Sequence, residues 1–206
     1  MDLPTLAITV GPIVAGYFIG GIPFGIVVAR VVGGPDPRSL GSGRTGGANV
    51  MRALGLRAAI VAGLLDAGKG AVAAIIPLLL GSGPLVQVLA ALAAILGHSR
   101  SPYIRFGGGR GIAPGFGGLI VIQPLIGLAI VPIFGVILVA SRISSLASLT
   151  SSALAMVGLL VAVAAFGMNP AYAVYAVGGA AMIWLFHSDN IQRLLAGQER
   201  RIEFRR

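Results

Sequence analysis

Long apolar stretches dominate this chain, and short polar segments separate them. A helix needs about 20 mostly apolar residues to cross a bilayer. The stretches therefore predict an all-α polytopic membrane protein in which residues 1–206 form a single integral membrane domain. We place seven transmembrane helices at residues 6–32, 51–80, 85–97, 112–122, 125–140, 146–166 and 171–186.

Two prolines interrupt the apolar pattern. Pro23 lies inside the first predicted span, where its missing N–H predicts a kink that neighbouring helices hold in place. Pro124 divides the apolar stretch 112–140 into a short helix and a full one. The short helix, 112–122, reaches only about 16 Å at 1.5 Å per residue. We therefore expect other helices to shield it, or part of it to be re-entrant, with a site built around it.

The positions of the charges predict which side of the membrane each loop faces. Every arginine lies in 30–57, in 100–110, at position 142 or in 193–206, whereas the connections 81–84, 123–124 and 167–170 carry no charge. Cytoplasmic loops are enriched in lysine and arginine. This alternation places the N-terminus outside and the C-terminus in the cytoplasm. The loops 33–50 and 98–111 and the tail 187–206 then form one active-site face in the cytoplasm.

Composition limits the possible partners. The chain is 56% hydrophobic and 10% charged, which is typical of a protein whose main solvent is lipid. Its net charge of +9 is confined to alternate loops, so it fits membrane insertion and attraction to anionic lipid better than a nucleic-acid partner. With no cysteine, a disulfide, a thiolate nucleophile and a cysteine metal site are excluded. Residues 1–9 lack a positive segment, so we expect no cleavable signal peptide.

A glycine-rich segment, 41–52, leads into the second predicted span. Glycines allow successive backbone N–H groups to point inward, and a helix N-terminus adds its positive dipole. Ser42, Arg44 and Arg52 add further donors, which indicates anion binding. No Gly-Lys-Ser/Thr follows, so the segment is not a Walker A loop. A flexible cytoplasmic loop with topogenic arginines is the alternative, and the residues alone leave both open.

A second glycine-rich segment, 106–111, surrounds Arg110 at the start of the short helix. Three successive glycines cost backbone entropy that a plain turn does not require. Close approach of the backbone to a ligand is the usual use of such glycines, and this is our interpretation. A turn that carries one topogenic charge is the alternative.

Two further polar groups lie at or inside the predicted spans. His187 and Asn190 share a helical face where the last span leaves the membrane. An interfacial histidine binds phosphate or transfers protons in some proteins, and in others it is only a wetted polar residue. Asp66 and Lys69 lie three residues apart within the second span. Charges at this depth are costly, and we interpret these two as a structural ion pair.

Six motifs, in order along the chain, resemble those of the bacterial acyl-phosphate-dependent glycerol-3-phosphate acyltransferases, the PlsY family. The similarity in order and spacing extends over nearly the whole chain. The motifs are Gly-Ser-Gly-(x)4-Ala-Asn-Val-x-Arg-Ala-Leu-Gly at 41–55, Leu-Asp-x-x-Lys-Gly at 65–70, Gly-His at 97–98, Phe-x-Gly-Gly-x-Gly at 106–111, Ser-Leu-Ala-Ser at 145–148 and His-x-x-Asn-Ile-x-Arg-Leu at 187–194.

The resemblance implies a seven-helix enzyme of the bacterial inner (plasma) membrane with its active site facing the cytoplasm. Such an enzyme transfers a fatty acyl group from acyl phosphate to the sn-1 hydroxyl of glycerol 3-phosphate. The products are lysophosphatidic acid, for phospholipid synthesis, and inorganic phosphate. The implied partners are the two substrates and membrane lipid. The resemblance implies no metal, no cofactor and no acyl-CoA donor.

The resemblance also implies roles for individual residues. A phosphate oxygen of one substrate would accept the proton of the attacking hydroxyl, and the protein would supply orientation and charge stabilisation. The implied catalytic residues are Arg110, His187 and Asn190. The implied substrate- and phosphate-binding residues are Ser42, Gly43, Arg44, Asn49, Arg52, Gly108, Gly109, Gly111 and Ser145.

The chain departs from the usual family pattern at five positions. Where the family usually has asparagine and threonine, this chain has Arg44 and Ala48. Where the family usually has lysine or arginine, this chain has Gly107. Arg110 replaces the usual lysine, and Pro114 replaces the usual threonine. Two other classes therefore stay open. A silent or altered-substrate homologue would keep the fold, and a small-anion transporter would also use glycine loops and charges. The sequence has no inverted repeat of the kind that marks many transporters.

Overall fold

The computed structural model describes residues 2–202, and within this range the chain forms nine α-helices, two short 3₁₀ turns and no strand. The turns are Pro37–Ser39 and Pro102–Ile104. The all-α prediction is confirmed. The helices are α1 (Leu3–Gly21), α2 (Phe24–Val31), α3 (Gly47–Leu79), α4 (Gly83–Ser99), α5 (Ile112–Ile122), α6 (Pro124–Ser141), α7 (Ser144–Phe166), α8 (Ala171–Phe186) and α9 (Ser188–Leu195).

Each predicted span coincides with a helix, but several ends differ. The first span is broken at Pro23 into α1 and α2 rather than merely kinked. Helix α3 begins four residues earlier than predicted and bends at Gly55, whose φ of 83° is not helical. Helix α4 is longer than the predicted span because Pro84 occupies its first turn, where no N–H is needed. The short α5 has the predicted bounds.

Long apolar helices identify a multi-pass membrane architecture. Among the described residues, α1, α3, α6 and α7 are each long and apolar enough to cross a membrane. Helices α8 and α9 provide a fifth crossing if this pair, bent by 66°, is counted as one broken span. Helix α5 is apolar but shorter than a full span. The helices expose large apolar side chains outward, such as Leu125 (79% exposed) and Val136 (68%), as lipid-facing surfaces do.

Two helix pairs pack backbone against backbone. A β-carbon added at Gly16 or Gly20 of α1 would collide with backbone atoms of α4. A β-carbon at Gly70 of α3 or Gly117 of α5 would collide with the backbone of the other helix in that pair. Helices in lipid gain little from the hydrophobic effect and associate through such close packing. The second contact holds the start of α5, and the segment before it, against α3.

The buried ion pair between α3 residues includes a third group. Lys69 Nζ lies 2.7 Å from Asp66 Oδ1, as the sequence interpretation requires, and also donates to the Ile22 carbonyl at the break between α1 and α2 (2.7 Å). His98 of α4 places its Nδ1 3.5 Å from the same carboxylate oxygen. The three side chains are almost fully buried. This cluster therefore joins α3 to α4 and to the connection between α1 and α2.

Candidate active site

Three segments that are distant in sequence meet at one end of the molecule, which we call the arginine-rich end. Arg110 Nη2 donates to Asp189 Oδ2 of α9 at 2.7 Å, and Arg110 Nη1 lies 3.4 Å from Ser42 Oγ. The Thr45 N–H points at the Gly108 carbonyl at 3.4 Å. The segments 41–52, 106–111 and 187–193 therefore form one surface.

Asn49 organises the first glycine-rich segment. Its Nδ2 contacts the Leu40 carbonyl (3.0 Å), the Ser42 hydroxyl (3.2 Å) and the Arg44 carbonyl (2.9 Å). Its Oδ1 accepts from Arg52 Nη1 at 2.9 Å. The side chain is buried, and both its amide nitrogen and its oxygen are hydrogen-bonded to residues between 40 and 52. Asn49 thus shapes the segment that presents Ser42 and Arg52, and its direct binding role stays a prediction.

The second glycine-rich segment lies on the end of α4. The Gly109 N–H donates to the His98 carbonyl at 3.0 Å, and the Ser101 N–H donates to the Gly107 carbonyl at 2.8 Å. A β-carbon at Gly108 would meet the His98 carbonyl, and one at Gly109 would meet the His98 ring. The sequence predicts close approach of this backbone to a ligand, and the binding role of Gly108 and Gly109 stays a prediction. In the structure the backbone neighbour of both glycines is the end of α4, and this contact fixes the position of Arg110.

Gly111 and Gly43 have a different reason to be glycine. Gly111 caps α5 with φ 87°, and Gly43 has φ 68°, both in the left-handed region. Side chains other than glycine adopt this region at a cost. The two residues set the direction in which the chain enters α5 and leaves Ser42.

Arg110 is largely buried and only partly satisfied. Its side chain is 16% exposed, and its Nε has no hydrogen-bond partner among the described residues. Burial lowers the pKa of Arg110 from its ordinary value, whereas Asp189 acts in the opposite direction. An arginine stays charged in proteins at neutral pH. A buried cation with an unused N–H is a candidate site for an anion.

Asp189 and Glu199 were not among the predicted site residues. Asp189 Oδ2 also accepts from Arg193 Nη2 (3.0 Å), and Arg193 Nε donates to Glu199 Oε2 (3.1 Å). Burial raises the pKa of Asp189, but Arg110 and Arg193 outweigh it and hold that pKa below its ordinary value. The available signal in the sequence was that both carboxylates interrupt an otherwise basic tail.

His187 and Asn190 lie beside this charged group. His187 Nδ1 is 2.8 Å from the Ile183 carbonyl, which favours the tautomer with its proton on Nδ1 and with Nε2 as an acceptor. Burial lowers the pKa of His187 to about 4, so the ring is neutral at pH 7. Asn190 Nδ2 donates to Glu199 Oε1 at 3.0 Å.

Two of the predicted site residues, Asn190 and Ser145, each have a polar atom without a hydrogen-bond partner in the part of the chain that the structure describes. Asn190 Oδ1 and Ser145 Oγ are buried without a hydrogen-bond partner among the described residues. Ser145 is at the start of α7, and the hydrogen bonds of residues 2–202 do not link it to Arg110 or Ser42. In the same range, no three His, Cys, Asp or Glu side chains are grouped as metal ligands would be.

An apolar crevice begins next to His187. It has a cavity volume of about 30 Å³ and lies between α4, α5, α7 and α8. Ile183, whose carbonyl contacts His187, lines it near the arginine-rich end, and Leu159 and Tyr175 line it deeper in the bundle. Its apolar lining suits a hydrocarbon chain, which the crevice must widen to admit. The arrangement places this apolar crevice near the arginine-rich end.

The known proteins that this chain resembles are glycerol-3-phosphate acyltransferases. A family model described as glycerol-3-phosphate acyltransferase matches residues 10–197. The glycerol-3-phosphate acyltransferase of Rubrobacter xylanophilus is 40% identical over 190 residues, which cover 92% of each chain. That of a Roseiflexus species is 39% identical over 201 residues, which cover 98% of each.

Two solved structures have the same architecture. Both are crystal structures of PlsY (YgiH), an integral membrane glycerol 3-phosphate acyltransferase. The glycerol 3-phosphate form has a TM-score of 0.86 and 33% identity, covering 95% of this chain and 96% of that one. The lysophosphatidic acid form has a TM-score of 0.85 and 32% identity, with the same coverage.

Proposed function

This chain belongs to the glycerol-3-phosphate acyltransferase family, as its six motifs predict, and we propose that its acyl donor is a fatty acyl phosphate. The acyl group passes to the sn-1 hydroxyl of glycerol 3-phosphate. The acyl–phosphate bond breaks, an ester bond forms, and the proton of the hydroxyl leaves with the phosphate. Lysophosphatidic acid and inorganic phosphate are the products.

The observation that carries the proposal is the partly satisfied guanidinium of Arg110 beside an apolar crevice. Arg110 Nε is buried and unpartnered, and Nη1 makes only a 3.4 Å contact with Ser42 Oγ. A phosphate oxygen accepts such an N–H in a charge-assisted hydrogen bond. The crevice starts at Ile183, one helical turn from His187. A donor with a phosphate head and a hydrocarbon chain matches the chemistry of both parts.

The low basicity of His187 supports proton transfer to a substrate phosphate. The pKa of His187 is about 4 in the substrate-free protein, so its ring is a weak base. A phosphate oxygen of the donor therefore takes the proton, which leaves with the inorganic phosphate. His187 Nε2 then accepts a hydrogen bond from the acceptor hydroxyl and orients it. Asn190 keeps one of its two amide N–H groups for the developing oxyanion, because Glu199 takes the other.

Orientation in the membrane is the second part of the proposal. The chain crosses the inner membrane seven times, with its N-terminus outside and the arginine-rich end in the cytoplasm. Support comes from the charge pattern and from α4 and α8, which both end at the arginine-rich end and so begin, at Gly83 and Ala171, at the uncharged end. Glycerol 3-phosphate, a charged metabolite, then reaches the site from water.

Product identification tests the donor. Purified protein is incubated with glycerol 3-phosphate and either palmitoyl phosphate or palmitoyl-CoA, and lysophosphatidic acid is measured by mass spectrometry. We expect product, with stoichiometric phosphate release, from palmitoyl phosphate alone. Efficient turnover with palmitoyl-CoA and none with the acyl phosphate would contradict the proposal. Offering several phosphorylated polyols in parallel reveals an altered acceptor, for which Arg44 and Ala48 are the candidate determinants.

The same purified protein distinguishes acyl transfer from two alternative functions. A catalytically silent homologue gives no product with any donor, although the protein is folded. A small-anion transporter moves labelled glycerol 3-phosphate into sealed vesicles without an acyl donor. Neither accounts for the apolar crevice next to the anion site as directly as acyl transfer does.

A further inference from the structure

Asp189 holds one edge of the Arg110 guanidinium. The contact from Arg110 Nη2 to Asp189 Oδ2, at 2.7 Å, is shorter than the 3.4 Å contact to Ser42 Oγ. The pairing is charge-assisted, which makes it one of the stronger hydrogen bonds available to a side chain. The pairing uses Nη2 of the guanidinium. Within residues 2–202, Nε has no partner, and Nη1 makes only the longer contact with Ser42.

Asp189 is itself held from the other side. Arg193 Nη2 donates to the same Oδ2 at 3.0 Å, and Arg193 is fixed by Glu199. Asp189 also lies in the first turn of α9, where the helix dipole favours a negative charge. The carboxylate therefore has a defined position without any contribution from a bound substrate.

The guanidinium is the group that permits this arrangement. It is planar, and its five N–H groups point in fixed directions, so one edge binds a carboxylate while another binds a phosphate. A lysine ammonium has a single nitrogen on a flexible stem, and its position depends little on one neighbouring carboxylate. The contribution of Asp189 should therefore depend on the residue at position 110.

We propose that Asp189 is a positioning residue that turns the Arg110 guanidinium so that its unpartnered Nε faces the phosphate of the acyl donor. The proposal rests on the proposed function, in which Arg110 binds that phosphate. Asp189 does not touch the substrate. It stays bound to Nη2 when the phosphate enters, and it is not a competitor that the phosphate displaces.

A double-mutant cycle tests the proposal by equilibrium binding of inorganic phosphate, the group that the donor presents to Arg110, with neither substrate present. We expect Asp189→Asn to raise the dissociation constant about tenfold, which is about 1.4 kcal/mol. In an Arg110→Lys background the same substitution should change it less than about twofold, so that most of the effect is coupling between the two sites. Asp189→Glu, which keeps the charge, should restore part of the affinity.

Matched controls separate this role from a general effect on the fold. Asp36→Asn removes the carboxylate of another Asp–Arg pair, the exposed one with Arg38, and should leave binding unchanged. An equal loss from Asp189→Asn in the arginine and lysine backgrounds would mean that Asp189 acts through the fold, and would overturn the proposal. Tighter binding in Asp189→Asn would identify Asp189 as a competitor and would also overturn it.

The proposed function fails separately. If the wild-type protein binds neither glycerol 3-phosphate nor inorganic phosphate, the site is not a phosphate site and both conclusions fall. If the wild type binds inorganic phosphate but the cycle shows no coupling, only the role of Asp189 is wrong.

Discussion

Arg110 carries the charge on which the proposed phosphate site depends. Replacing Arg110 with alanine removes this charge and the unpartnered Nε–H, so we expect kcat/KM to fall about 30- to 1,000-fold, or roughly 2 to 4 kcal/mol of transition-state stabilisation. Arg110→Lys keeps the charge and should stay within about tenfold of wild type. Steady-state kinetics with glycerol 3-phosphate measures both. Near-native kinetics in the alanine variant would reduce Arg110 to a topogenic charge.

His187 gives the protein a pH-dependent stability. Its pKa is about 4 in the folded state and near 6.5 in the unfolded chain. Between these values the unfolded state binds more protons, so stability is complete above pH 6.5 and is lost as the pH falls toward 4. This group alone should lower the free energy of unfolding by about 2 kcal/mol between pH 7 and pH 5.

The His187→Gln variant isolates that contribution. We expect the drop in apparent melting temperature between pH 7 and pH 5 to be smaller in the variant than in the wild type. The other titratable groups are present in both proteins, so their contributions cancel. The same pH dependence in both proteins would mean that His187 is not held neutral by the fold.

Single residues differed in how far sequence could predict them. Arg110 and Ser42 stand in glycine-rich segments, and their chemistry is visible from their neighbours. The role of His98 depends on contacts with Asp66 and Gly109, which only the packing of α3, α4 and the 106–111 segment creates. Asp189 carries no local motif of its own. Its importance comes from the two arginines that the fold places on one carboxylate oxygen.

The break between α1 and α2 and the middle of α3 are joined by one ammonium group. Lys69→Met leaves the Asp66 carboxylate buried without its main partner, so we expect a loss of about 3 to 5 kcal/mol of stability. Replacing both residues, as Asp66→Leu with Lys69→Met, should cost less than the single change. Thermal unfolding of the detergent-solubilised protein makes the comparison.

Arg38→Met is the matched control, because it removes a cation from the exposed pair with Asp36. Exposed pairs contribute at most about 1 kcal/mol, so its melting temperature should hardly change. If Lys69→Met is as mild as this control, or if the double variant is worse than the single one, the pair does not stabilise the bundle in the way described.

Helices were predicted well where hydropathy alone decides, and less well where backbone geometry does. The bounds of α5 and α8 follow directly from the apolar pattern. The early start of α3, its bend at Gly55 and the complete break at Pro23 depend on local φ and ψ values and on packing. No proline or glycine lies at the 66° bend between α8 and α9, so the sequence does not predict this bend.

The molecule as a whole has a polarity that an impermeant thiol reagent can test. The chain contains no cysteine, so single cysteines report cleanly. We expect Asn169→Cys, in the exposed connection between α7 and α8, to react in intact cells, and Ser39→Cys to react only after the membrane is opened. The reverse pattern would invert the proposed orientation.

The arginine-rich end draws on the beginning, the middle and the end of the chain. Ser42 and Arg110 emerge from a ribosome early and midway through synthesis, whereas Asp189, Arg193 and Glu199 come last. A nascent chain that has inserted everything through α8 has its transmembrane helices but lacks the carboxylate that holds Arg110. Under the proposed function, the site is therefore assembled only after α8, when His187, Asn190 and Asp189 join the segments that precede the crevice in the chain.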